Sequence, residues 1–267
     1  MLTADDIWKD VQAMRAARPL VLNITNYVVA NSNANALLAL GASPAMTHHP
    51  EDLRELTAFA SALVVNIGTP SDELLEGMFT AGAVAGERGI PIVLDPVACG
   101  VTSVRTTASA DFLTRCRPTA VRGNGSEIMA LAGAGGVPKG ADSTQSSEAA
   151  LEAAVGLARA SGAVVCVTGE VDILTDGERL ARVHGGSELM PLVTGMGCTA
   201  TALVGAFLAV NPDPLAGAVA AMAVMSACGG LAAERAQGPG TLQLHFYDAL
   251  HCMTPGDLER LVQVEKG

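Results

Sequence analysis

Aromatic residues are scarce in this chain, 3 % of 267 residues with a single tryptophan. A core of large rings is therefore excluded, and the abundant Ala, Gly, Val and Leu suit close helix-on-sheet packing through small contacts. Positive charge is scarce as well: the formal net charge is -11 and no run of Lys or Arg occurs, which argues against nucleic acid and anionic membrane as partners. A phosphate-bearing ligand would have to be held by backbone N–H groups, a metal, or one or two placed arginines. The six cysteines include no Cys-x-x-Cys pair, so they read as reduced thiols of a cytoplasmic protein, not as a disulfide scaffold or a zinc finger. Long hydrophobic runs are missing too. Residues 1–18 are mixed and acidic, unlike a signal peptide, and the most apolar stretch, 215–233, is broken by Ser226, Gly229 and Gly230, which favours a buried helix over a membrane span. There is no Walker spacing with its Lys-Ser/Thr end and no Gly-x-Gly-x-x-Gly after the first strand, so a dinucleotide oxidoreductase is disfavoured.

What is present is a large apolar complement, 49 % hydrophobic against 16 % charged, enough for one domain spanning residues 1–267. Thr3 and Asp6 form a capping-box pattern before an apolar stripe at Ile7, Val11 and Met14. Strands are expected at 20–24, 63–67, 90–94, 120–121 and 163–167. Between them come helices at 31–40, 51–60, 71–88, 105–115 and 148–160, with 43–46 a short extended piece. This alternation predicts an α/β fold, a mainly parallel central sheet flanked by helices. Asp176-Gly177 between 171–174 and 180–183 predicts a late antiparallel hairpin with a type I′ turn. Residues 133–147 read as a loop. Helices at 199–210, 214–236 and 242–252, and a short one after Thr254-Pro255, complete the chain.

Chemistry collects where buried strands turn polar, since open parallel sheets bind ligands at their carboxyl edge. Thr25-Asn26, Asp95, Arg122 and Thr168 are such strand ends. Residues 194–197 form a small-residue turn running straight into an apolar helix, whose unpaired N–H groups would face whatever sits in the turn, an anion cradle or simply a tight turn. The turn carries the Thr194 hydroxyl and leads to the Cys198 thiol, which should be acidified by the helix N-terminus and is also a possible nucleophile. Ser126 can cap the helix beginning there, with Glu127 in its first turn; Glu127 is either part of that cap or, with Asp95, a holder of Mg2+. Both carboxylates beside an anion cradle suggest Mg2+-dependent phosphoryl transfer. Met46 is core filler or the wall of a ligand pocket. His48 and His49 are adjacent, share no face, and read as loop histidines.

The blocks Asn23-Ile24-Thr25-Asn26, 38–46, Leu94-Asp95-Pro96-Val97, Arg122-Gly123-Asn124 with Ser126-Glu127-Ile128, Val167-Thr168-Gly169-Glu170, Gly195-Met196-Gly197-Cys198 and Gly238-Pro239-Gly240 together resemble the hydroxyethylthiazole kinase family of thiamine biosynthesis. They keep that family's order over most of the chain. The resemblance implies a ribokinase-like fold, a homotrimer with sites between subunits, and ATP- and Mg2+-dependent phosphorylation of 4-methyl-5-(2-hydroxyethyl)thiazole. It implies that Met46, Gly195 and Asn26 meet the thiazole, that Arg122, Thr168, Thr194 and Gly197 meet ATP, and that Asp95 and Glu127 lie at the Mg2+. Cys198 would be the base or positioning group, in the place of an aspartate in related sugar kinases. Met196 departs from the family's usual alanine or threonine and would narrow the pocket mouth or point into an interface.

Overall fold

The computed structural model describes residues 2–133 and 147–267, of which 147–149 by backbone alone. Helix α1 (Ala4–Ala17) is closed at its start by the expected Thr3/Asp6 capping box and buries Ile7, Val11 and Met14. The chain continues through β1 (Leu20–Ile24), α2 (Ala30–Leu40), β2 (Ser43–Met46), α3 (Pro50–Thr57), β3 (Ala62–Asn66), α4 (Asp72–Arg88), β4 (Ile92–Asp95), α5 (Ser103–Cys116), β5 (Ala120–Asn124) and α6 (Gly125–Leu131). After the segment 134–146 come α7 (Ser147–Ser161), β6 (Val164–Thr168), β7 (Val171–Thr175), β8 (Leu180–His184), α8 (Met196–Leu208), α9 (Pro214–Arg235), α10 (Pro239–Cys252), α11 (Pro255–Leu261) and β9 (Gln263–Lys266). The loop expected at 133–147 lies, but for its two ends, outside the described residues.

The described strands form one sheet in the order β2-β1-β3-β4-β5-β6-β7-β8-β9. Pairing is parallel from β2 to β6 and antiparallel from β6 to β9. Alternation along the buried strands explains the two cores. Val21, Val64, Val93 and Ala120 face the layer of α8 and α9; Leu22, Leu63, Leu94 and Val121 face the layer of α4 and α5. Each such fully buried Leu or Val contributes about 1.5–3 kcal/mol. Helix α9 is long and apolar enough to cross a membrane by composition, but 83 % of its apolar window is buried inside the fold. It is a core helix, as its Ser and Gly interruptions predicted.

Four departures from the expectations concern strands and their turns. The hairpin is not a two-residue type I′ turn: Thr175 pairs with Leu180, leaving 176–179 as the loop, and Asp176 Oδ1 instead accepts from the N–H of Glu178 at 3.0 Å and of Arg179 at 2.7 Å. The very short strand at 120–121 runs on to Asn124. The extended piece 43–46 is a true edge strand, its register placing Met46 beside Asn23. The polar segment of β9, without an apolar run to announce it, pairs with β8.

Candidate active site

Parallel pairing of β1, β3, β4, β5 and β6 brings their carboxyl ends to one edge, where the first turn of α8 arrives from the other side. Asp95, last residue of β4, lies in register with Asn66, last residue of β3. It is 1 % exposed. Its Oδ2 accepts from Asn66 Nδ2 at 2.7 Å and from Thr201 Oγ1 of α8 at 2.8 Å, while its buried Oδ1 has no partner. Burial, reinforced by the charge of Glu127 and opposed by Arg122, pushes the Asp95 carboxyl up to about 6.

Asn124, not Ser126, caps α6, and Glu127 completes a capping box with it. The expected Ser126 cap is thereby corrected: the Ser126 hydroxyl donates to Asn124 Oδ1 at 2.7 Å. The cap lies two residues earlier than expected because Asn124, the extended last residue of β5, has its side-chain oxygen placed to accept from Glu127 N. Glu127 Oε2 accepts from Asn124 N, and its Oε1 accepts from Ala98 N, each at 2.8 Å. The carboxylate thus ties the loop after Asp95 to α6, while its charge still acts on Asp95.

Arg122 donates through Nη2 to Thr168 Oγ1, and its buried Nε is unpartnered. The guanidinium lies against α8, since a Cβ added at Gly197 would be 2.6 Å from Nη1. Gly195 caps α8 with φ +86° and without a side-chain hydrogen bond; a Cβ there would also meet Val29 Cγ1 at 2.6 Å. The α8 N-terminus therefore combines open backbone donors with a fixed cation, which favours an anion.

Cys198, half-buried in the first turn of α8, lies 3.7 Å from Asn26 Nδ2. Its thiol is not acidified as expected. Burial, with the nearby charge of Asp95, pushes it up to about 12, outweighing Arg122 and its hydrogen-bond donors. Met196 is buried and belongs to the apolar core cluster that also holds residues of α2 and α9. Thr194 is exposed just before α8, and Met46 is half-buried at the end of β2. Among the described residues, no side-chain hydrogen bond joins Thr194 or Met46 to the group formed by Asn26, Asp95, Arg122, Thr168, Gly197 and Cys198. The His48 ring packs against that of Tyr27, centroids 5.5 Å apart and planes tilted by 59°. Asn66 and Thr201 also belong to this network, although nothing in the sequence alone marks them. Asn66 ends β3 as Asp95 ends β4, but the buried Ile67 after it continues the apolar run and masks that polar strand end.

No group of three or more His, Cys, Asp or Glu that could hold a metal occurs among the described residues. Mg2+ needs no such cage, because it keeps waters and uses one or two carboxylates plus substrate phosphates. The orphaned Oδ1 of Asp95 fits that demand. Both oxygens of Glu127 already accept backbone hydrogen bonds, so its fit is through charge and remaining lone pairs.

Residues 11–256 match the model of the hydroxyethylthiazole kinase family. The chain is 54 % identical over 260 residues to the hydroxyethylthiazole kinase of Nitratidesulfovibrio vulgaris strain Miyazaki F, covering 97 % of each chain. It is similar to the solved structure of the hydroxyethylthiazole kinase protein from Pyrococcus horikoshii OT3, with TM-score 0.91, 40 % identity and coverage of 98 % of this chain and 99 % of that one. The pyridoxal kinase of Staphylococcus aureus superposes with TM-score 0.68 at 18 % identity, over 93 % of this chain and 99 % of that one, a likeness of fold alone.

Proposed function

Since this chain belongs to the hydroxyethylthiazole kinase family, we propose that it transfers the γ-phosphoryl group of ATP to the hydroxyl of 4-methyl-5-(2-hydroxyethyl)thiazole, with Mg2+ as cofactor. The observation that carries this reading at the site is the packing of the Arg122 guanidinium on Gly197 at the open start of α8, beside a buried carboxylate with a free oxygen. That combination suits a multiply charged phosphoryl group and would suit a neutral substrate poorly.

Arg122, held by Thr168, binds the phosphates together with the backbone of the turn 194–197. The first-turn N–H groups of α8 stabilise charge on the transferred group. Mg2+, when bound, neutralises phosphate oxygens, and Asp95 with Glu127 are the residues that would hold it. Asn26, Met46 and Gly195 orient the thiazole alcohol. Cys198 contacts the acceptor hydroxyl as a neutral thiol. A loose transition state needs little early deprotonation, so orientation matters more than basicity there. Tyr27 and Val28, 68 % and 62 % exposed directly after Asn26, support a homotrimer in which a second subunit covers this edge. The enzyme works in the cytoplasm, where its free thiols stay reduced.

The test is ADP release by the purified protein with ATP and Mg2+ against a panel of alcohols: the thiazole alcohol, a hydroxymethylpyrimidine, pyridoxal and a pentose. Release is expected with the thiazole alcohol. A faster rate with another alcohol, or no release with any, would overturn the reading.

A further inference from the structure

We propose that Asn66 is a positioning residue for this phosphoryl transfer, its side-chain amide locking Asn26 and Asp95 into one directed hydrogen-bond chain that ends on Cys198. The inference rests on the kinase reading above and assigns a role to a side chain outside the group that meets the substrates.

Asn66 is 1 % exposed. Its Oδ1 accepts from Asn26 Nδ2 at 2.9 Å and from Gly68 N at 3.0 Å, which uses both lone pairs. Its Nδ2 donates to Asp95 Oδ2 at 2.7 Å. The direction follows from chemistry, because an ionised carboxylate only accepts. The amide nitrogen of Asn66 must therefore face Asp95 and its oxygen must face Asn26. That in turn presents the Asn26 nitrogen to Asn66, with Asn26 Oδ1 taken by Val28 N at 3.0 Å. The amide group of Asn26 is left facing Cys198 Sγ at 3.7 Å. At the other end, Asn66 and Thr201 both donate to Asp95 Oδ2, so the free oxygen is Oδ1. One buried amide thus sets which face the Asn26 amide and the Asp95 carboxylate show to the site. The clamp has little play: a Cβ at Gly68 would lie 2.7 Å from Asn26 Nδ2 and 2.9 Å from Asn66 Oδ1.

The experiment compares wild type, Asn66→Ala, Asn66→Ser, Asn26→Ala and the double variant Asn26→Ala/Asn66→Ala in kcat, KM for both substrates and melting temperature. Loss of a residue that orients contact groups is expected to lower kcat about ten- to hundredfold, with the KM for ATP within about twofold because the phosphate contacts stay intact. The double variant should fall no more than about threefold below the worse single variant, since one chain is broken only once. Asn66→Ser keeps the test open if the alanine variant does not fold. A folded Asn66 variant with wild-type kcat and only a lowered melting temperature would overturn the proposal, as would losses that multiply in the double variant. A wild type that turns over no thiazole alcohol overturns the kinase reading and this inference with it, which separates the two failures.

Discussion

Arg122 and Gly197 occupy adjoining space so closely that a single methyl group cannot be inserted between them: a Cβ at Gly197 would lie 2.6 Å from Nη1 and 2.9 Å from Nη2. Gly197→Ala must displace the guanidinium or the first turn of α8. Either shift parts the cation from the backbone donors. We expect kcat/KM for ATP to fall at least about tenfold, roughly 1.4 kcal/mol of transition-state stabilisation, with melting temperature changed little. Steady-state kinetics over ATP concentration checks this, and an unchanged kcat/KM would remove the pair from the phosphate site.

Cys198 should behave as a sluggish thiol. With its ionisation pushed up to about 12, roughly one molecule in ten thousand is thiolate at pH 8. The exposed Cys252 should be alkylated long before Cys198 when labelling is followed by peptide mapping. Cys198→Ala should reduce kcat about tenfold while leaving ATP binding nearly intact. Rapid labelling of Cys198 near pH 7, or undiminished turnover, would contradict this.

The free Oδ1 of Asp95 is the carboxylate oxygen best placed to serve Mg2+. Asp95→Asn should weaken Mg2+-dependent turnover, shifting half-saturation upward about tenfold or more. Titrating turnover against Mg2+ is the measurement. Superposable curves for wild type and variant would take Asp95 out of the metal site.

The sheet was legible because buried strands and amphipathic helices alternate along most of the chain, and polar residues at strand ends marked Asn26, Asp95, Arg122 and Thr168. Asn66 escaped because Ile67, itself buried, makes the apolar run read as a strand through 67, hiding the polar end at 66. Thr201 looks like one more small residue of an apolar helix. Its hydroxyl finds Asp95 only because α8 packs across β3 and β4. The weak acidity of Cys198 is not legible in the sequence for a related reason: helix position is local and readable, whereas burial and the charge of Asp95 arise only after folding. Glu127 combines both readings, a capping residue by its hydrogen bonds and an electrostatic neighbour of Asp95 by its charge.

Asp172, buried at 8 % exposure in β7, gives a stability prediction that is independent of catalysis. Burial pushes its carboxyl from 3.8 up to about 6, opposed by the Gly169 N–H, which donates to Oδ1 at 3.1 Å, and by Arg122. Because the folded value is raised, the folded state binds the proton more tightly than the unfolded chain. This group's contribution to stability is therefore full below about 3.8 and is lost as pH rises through about 6. Asp172→Asn keeps an oxygen for the Gly169 N–H and carries no charge. It should stabilise the protein at pH 8 by up to about 3 kcal/mol, a rise in melting temperature of roughly 5 °C or more, and by little at pH 4. Thermal melts of both proteins across pH 4–8 would show the gap growing between about pH 4 and pH 6 and levelling off above. A gap that is constant with pH, or a variant less stable than wild type at pH 8, would mean that Asp172 is held ionised by interactions stronger than its burial.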